Sequence, residues 1–145
     1  GQGEDFDRYR QMSDDPERFE IHNDYVSSET QAELFRRASV VALPYRDATQ
    51  SGVVVNAYAF AKPVVATAVG GLVDQVEHGR TGLLVPPDDV TALAEAIVTL
   101  LTDRELRWAM GKAAYEKLST EWSVAAVAAR TAAVYEEVLQ RSETR

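Results

Sequence analysis

The chain has 145 residues, 46% of them hydrophobic and 26% charged, with 15 Lys plus Arg against 23 Asp plus Glu for a formal net charge of -8. With no Cys it has no disulfide framework, thiolate nucleophile or Cys-ligated zinc. The acidic balance argues against nucleic acid as a partner held through the whole surface, although a local pocket for a phosphate stays compatible with it. The length suits one domain with a real core. The uncharged stretch 48–61 is too short and too polar to span a bilayer, and the acidic start GQGEDFDRYR has no apolar signal core.

In chain order, residues 4–12 predict a short helix. Phe19, Ile21, Tyr25 and Val26 suggest a short strand and its exit loop. Acids outnumber bases over residues 1–35, the pattern of a solvated surface. Ser27 or Ser28 stands before Glu29-Thr30-Gln31, an N-cap pattern, and the helix it opens turns Ala32, Leu34, Phe35 and Ala38 inward. Val40-Val41-Ala42-Leu43 is an apolar run stopped by Pro44. Val64-Val65-Ala66-Thr67 is a second, ended by Gly70-Gly71, and Gly82-Leu83-Leu84-Val85 a third, ended by Pro86-Pro87. Runs apolar on both faces and separated by helix-length segments predict parallel strands covered on both sides.

The segment 44–61 reads PYRDATQSGVVVNAYAFA. Val53-Val54-Val55 favours a strand and NAYAFA a helix. A strand starting at Gly52 leaves no room for a crossover before Val64, so a helix is expected, its three valines buried against the sheet. Thr49 or Ser51 would stand near its cap, with free N–H groups at Ser51, Gly52 and Val53. Such groups, with the helix dipole, favour a phosphate. Gly52 would let a diphosphate approach the backbone. An ordinary capped helix is the alternative.

Three helices follow. Asp88 or Asp89 can cap the first, with Val90, Leu93, Ala94, Ile97, Val98 and Leu101 as its apolar positions. Asp103 can cap the second, with Leu106, Met110, Ala113, Ala114 and Leu118 inward. Ser123 can cap the third, with Val124, Val127, Ala128, Thr131, Tyr135 and Val138 on one face, before a polar tail at 141–145 that frays. The rhythm is that of an α/β, Rossmann-like doubly wound parallel sheet with extra C-terminal helices. Ligands of such sheets bind beyond the carboxyl ends of the strands, here the loops after Leu43, Thr67 and Val85.

Other candidates have plainer readings. His78 in HGRTG is a surface turn residue and His22 a strand-end residue. Asp74 and Glu77 are solvated carboxylates by default, and Trp108 and Trp122 packing residues. Gly70-Gly71 looks like a phosphate loop, but no GxGxxG or Walker pattern accompanies it.

The stretch AYAFAKPVVATAVGGLVDQVEHGRTGLLVPPDDVTALAEAI resembles the C-terminal domain of retaining GT-B glycosyltransferases, the group 1 or family 4 set. Lys62-Pro63-Val64-Val65-Ala66-Thr67, Val69-Gly70-Gly71, His78-Gly79, Thr81 through Pro87 and Asp89 fall at the family's spacing, and the match extends upstream to Leu34-Phe35 and downstream to Trp122 and Tyr135. The resemblance implies the donor half of a glycosyltransferase: it binds a UDP- or GDP-sugar, with no separate cofactor and no metal. The acceptor, a glycan or lipid-linked glycan, would be held by an N-terminal domain outside this sequence. Thr49, Gln50, Ser51, Gly52, Val53 and Asn56 are the expected donor-binding residues, and no catalytic residue is assigned. A non-catalytic nucleotide-sugar-binding module is the alternative.

Two departures accompany the resemblance. The family's usual pair of glutamates eight positions apart falls on Ala48 and Asn56. Asn56 can still bond a ribose hydroxyl, whereas Ala48 cannot replace a carboxylate near the donor sugar. Gly1-Gln2-Gly3 looks like the turn after the domain's second strand, so residues 1–145 read as an incomplete domain. The first βα unit, with an Arg and a Lys that contact the phosphates, would lie outside it. The sheet edge left open is then expected to be covered by a partner chain, as in a dimer, or by a swapped element. The resemblance points to a cytoplasmic protein, compatible with peripheral membrane association of the complete enzyme.

Overall fold

The computed structural model describes residue 12 and residues 15–143. The helix expected at 4–12 lies outside the described residues, apart from Met12. The chain divides into two compact units, residues 1–36 and 37–145.

In the first unit a single 3-10 turn, Pro16–Arg18, precedes irregular chain. No strand forms between Phe19 and Val26, and Phe19, Ile21 and Tyr25 are exposed. Alternating apolar residues there have no neighbouring strand to pair with, and pairing is what makes a strand. His22 is therefore no strand-end residue; its Nε2 lies 2.9 Å from Glu20 Oε1. Helix α1, Ser28–Arg37, begins as expected, with Ser27 Oγ accepting the Thr30 N–H at 3.2 Å. Phe35 is its buried residue.

The second unit is built on three parallel strands in the order β1 (Val41–Leu43), β2 (Val64–Thr67), β3 (Gly82–Val85). Val41 to Leu43 face Val64 to Ala66, and Val64 to Thr67 face Gly82 to Val85. All four residues of β2 are buried, the burial on both faces that its unbroken apolar run predicts. Helix α2, Gly52–Ala59, and the short helix α3, Leu72–Gln75, follow β1 and β2. Then come α4 (Val90–Thr102), α5 (Arg104–Thr120) and α6 (Val124–Glu143). The architecture is α/β, a parallel sheet with flanking helices. Among the described residues no helix is long and apolar enough to cross a membrane.

The core joins Val65 and Val85 of the sheet to Ala96 and Leu100 of α4 and Met110 of α5. Asp89 caps α4 through the Ala92 N–H and Asp103 caps α5 through the Leu106 N–H, each at 2.9 Å. The inward face of α4 differs from the expected one. Ala92, Leu93, Ala96, Ile97 and Leu100 pack, whereas Val90, Val98 and Leu101 are exposed. Apolar residues run nearly round this helix, so its periodicity fits more than one stripe and packing selects one. Trp108 is likewise 69% exposed, with Lys112 Nζ 5.8 Å from its ring centroid, and is no core residue. Ser123 caps α6 through the Ala126 N–H at 3.2 Å. The expected apolar stripe of α6 is not buried, and the helix runs on through Glu143, past the point where fraying is expected.

Candidate donor site

The loop after β1 ends in Ser51, the N-cap of α2, in extended geometry (φ -131, ψ 117). Its Oγ accepts the Val53 N–H at 3.3 Å. Its own N–H donates to Gln75 Oε1 at 2.9 Å. Of the three N–H groups expected to be free, those of Ser51 and Val53 are therefore taken. Only the Gly52 N–H has no partner among the described residues. The correction follows from burial: Ser51 is 5% exposed, and a buried donor must find an acceptor. Gly52 itself is exposed, and a β-carbon on it would meet nothing within 4 Å.

The three valines divide as a helix must divide them. Val54 is buried, Val53 half-buried and Val55 exposed. Helix α2 lies against α5, and only the face carrying Val54, Ala57 and Tyr58 is sealed. Asn56 stands one turn beyond Gly52 on the same face. It is half-buried, and its amide makes no hydrogen bond among the described residues. Thr49 and Gln50 are exposed on the approach to the cap.

Gly70-Gly71 supports this loop sterically. A β-carbon at Gly70 would stand 1.8 Å from the Ala48 carbonyl oxygen, and one at Gly71 would stand 1.9 Å from that of Thr49. Gly70 also adopts φ +45, and the Gly71 N–H donates to Ala48 O at 3.0 Å. The two loops touch backbone to backbone, which is possible only without side chains. Beside them a cavity of about 380 Å³ is lined by Gln50, Val55, Gly71, Asp74, Gln75, Leu118 and Trp122. A second, of about 170 Å³, joins all three strand-end loops through Tyr45, Thr67 and Asp88, where Arg46 Nε meets Asp88 Oδ1 at 3.1 Å.

Behind the cavity lies a polar network that the sequence did not announce. Tyr58 is fully buried; its hydroxyl donates to Gln75 O at 3.1 Å and lies 2.6 Å from Thr81 Oγ1. Burial pushes the Tyr58 hydroxyl up to about 12. Thr81 Oγ1 in turn accepts the Glu77 N–H at 2.9 Å. Glu77 is no solvated carboxylate. It takes Lys117 Nζ and Arg80 Nη1, each at 2.6 Å, and those hydrogen bonds, Lys117's first, hold its carboxyl below the usual carboxylate range. Lys117 is buried on α5, 5.1 Å from the Trp122 ring centroid, and Trp122 stacks on Tyr58 at 5.6 Å. Trp122 thus packs as expected. His78 is the exposed turn residue expected of it, its Nδ1 accepting the Leu84 N–H at 3.0 Å.

A parallel sheet whose strand-end loops converge on a helix N-terminus is the design of nucleotide-binding α/β domains, here the GT-B, Rossmann-like glycosyltransferase fold. Residues 1–103 match the family of glycosyl transferases group 1, and the chain belongs to it. The D-inositol 3-phosphate glycosyltransferase of Corynebacterium glutamicum is 37% identical over 136 residues, 92% of this chain and 32% of that protein. Sucrose-phosphate synthase from Thermosynechococcus elongatus has the same fold at a TM-score of 0.69 and 33% identity, over 80% of this chain and 29% of that one. HepE from Anabaena, solved with UDP, aligns at a TM-score of 0.66 and 27% identity, over 72% of this chain and 29% of its own. The chain therefore spans about a third or less of these relatives.

Proposed function

We propose that this chain is the donor-binding half of a retaining glycosyltransferase. It takes a nucleotide-diphosphate sugar, with the diphosphate against the N-terminus of α2. The observation that carries the reading is the Gly52 N–H. Of the three N–H groups expected at that terminus it alone has no partner among the described residues, and it sits on a residue with open space beside it. A helix terminus of this kind attracts and bonds an oxyanion. The UDP bound in HepE, a protein with this fold, supports the same ligand class. In the reaction proposed, the bond from the anomeric carbon to the diphosphate breaks and one to an acceptor oxygen forms, the acceptor's proton leaving with a base. Thr49 and Gln50 line the approach, Ser51, Gly52 and Val53 form the terminus, and Asn56 is placed to bond a ribose hydroxyl in the position of the family's usual second glutamate. The donor is a substrate, and we assign no separate cofactor. The acceptor, a glycan or lipid-linked glycan, is held by the remainder of a longer enzyme. That remainder also continues the sheet beyond the free edge of β1. We place the reaction in the cytoplasm.

The test is an NMR titration of the 15N-labelled chain with millimolar UDP and GDP. The Gly52 and Val53 amides should move. Ser51→Asp keeps a capping oxygen but adds a negative charge, and Gly52→Val covers the N–H. Both should abolish the movement while leaving the rest of the spectrum dispersed. Unmoved amides in the unsubstituted chain would overturn the reading.

A further inference from the structure

We infer that Gln75 is a positioning residue that aims the Gly52 N–H at the donor's diphosphate; this rests on the reading of α2 given above. Gln75 ends α3 and lines the larger cavity beside the loop that carries Gln50. Its side-chain amide holds Ser51 by both backbone groups: Oε1 accepts the Ser51 N–H at 2.9 Å, and Nε2 donates to Ser51 O at 3.3 Å. A side-chain amide is uncharged at every pH of interest and carries an acceptor and a donor side by side, which is what the two backbone groups of Ser51 need.

The second of these bonds acts on Gly52. The Ser51 carbonyl and the Gly52 N–H belong to one planar trans peptide, in which C=O and N–H point in opposite directions. Ser51 O also accepts the Val54 N–H at 3.2 Å, and holding it on Gln75 as well turns the Gly52 N–H away from Gln75. Left alone, a glycine after an extended residue has more freedom to turn than any other residue. The clamp removes that freedom before the ligand arrives, which is how a fixed dipole gains over a mobile one.

Gln75 is itself held. Its backbone N–H donates to Gly71 O at 3.2 Å, and its carbonyl accepts the hydroxyl of Tyr58 at 3.1 Å. Tyr58 lies seven residues after Ser51 on α2, so one glutamine is pinned to the helix at two points about two turns apart. Helix and clamp move together, and the aim is kept.

The variants Gln75→Ala and Gln75→Glu test this. In the unliganded chain, Gln75→Ala should shift the Gly52 amide resonance and speed its hydrogen exchange; an unchanged Gly52 overturns the clamp whatever UDP does. With UDP, Gln75→Ala should bind about fivefold to tenfold more weakly than the parent chain, the worth of one or two neutral hydrogen bonds. Gln75→Glu gives the signature that loss of packing cannot. As a carboxylate it can take the Ser51 N–H but cannot donate to Ser51 O; protonated, it can do both. Its affinity for UDP relative to the parent at the same pH should be low at pH 7 and recover as the new carboxyl protonates. Equal UDP affinity in the parent and Gln75→Ala, with Gly52 still moving, overturns the positioning role and leaves the site standing. A parent chain whose Gly52 ignores UDP overturns both.

Discussion

Helices α2 and α6 are both rich in Val and Ala, yet one is locked and the other bare. Val54, Ala57 and Tyr58 of α2 are fully buried, and two residues from other segments, Gln75 and Thr81, tie the helix at its ends. Val124, Val134, Tyr135, Val138 and Leu139 of α6 are all exposed. The difference lies in what meets each helix. Gln75 of α3 and Thr81 before β3 reach α2, and α5 lies along it, whereas the apolar stripe of α6 is exposed. An apolar stripe is thus only an offer of burial, and polar pins at a helix end show where the offer is taken up.

The largest effect is expected where two backbones touch. Gly70→Ala places a β-carbon at less than van der Waals distance from the Ala48 carbonyl, on a residue at φ +45. The neighbour is backbone and cannot swing aside. Stability should fall by about 3 kcal/mol or more, read from the urea midpoint. Gly79→Ala is the control. Its φ is +80 but nothing lies within 4 Å of the new carbon, so it should cost only about 1 kcal/mol. Equal costs at the two positions would show that the close approach of the loops adds nothing to the left-handed strain.

A smaller effect tests the pins behind α2. In Glu77→Gln the buried Lys117 loses its counter-charge. Glu77 is about one-third exposed, so the loss should fall between that of surface and of buried pairs, about 2 kcal/mol at neutral pH. The pH dependence has a definite sign. Hydrogen bonds from Lys117 and Arg80 hold the folded-state carboxyl below 4.5. The stabilisation is therefore complete above the unfolded carboxyl's pKa and is lost as pH falls through the folded one. Urea midpoints of parent and variant should differ at pH 7 and converge on acidification below pH 4.5. A constant difference would assign the effect to packing rather than charge.

The same contrast explains what the sequence could show. Strands β1, β2 and β3 were legible because their runs are short, apolar and ended by Pro or Gly, and α2 was legible because a strand at Gly52 leaves no crossover. The caps at Asp103 and Ser123 were legible because capping is local, and those at Ser27, Ser51 and Asp89 were narrowed to two residues each. The pins were not. Gln75 reaches Ser51 across 24 residues and Lys117 reaches Glu77 across 40, and neither carries a periodic signal. At the site, the Gly52 N–H stands free among the described residues as expected, but those of Ser51 and Val53 do not, because their fate depends on Gln75 and on the buried cap. The face of α4 and the failed strand near Phe19 have one cause: apolar residues alone do not say which neighbour will meet them.

The smallest effect is expected on α6, and it can still break the comparison. Tyr135→Ser and Val138→Ser each remove apolar surface that is already in water, 68% and 59% exposed. Removing such surface should leave the urea midpoint within about 0.5 kcal/mol of the parent. Truncating a covered side chain of this size would instead cost about 2 kcal/mol or more. A cost in that range would mean that α6 is met in solution after all, and dilution tests whether a second copy meets it. The cost would then fall with dilution, since a dimer's contribution to stability depends on protomer concentration. A small, concentration-independent change leaves α6 the bare helix of the pair, its stripe open while that of α2 is closed.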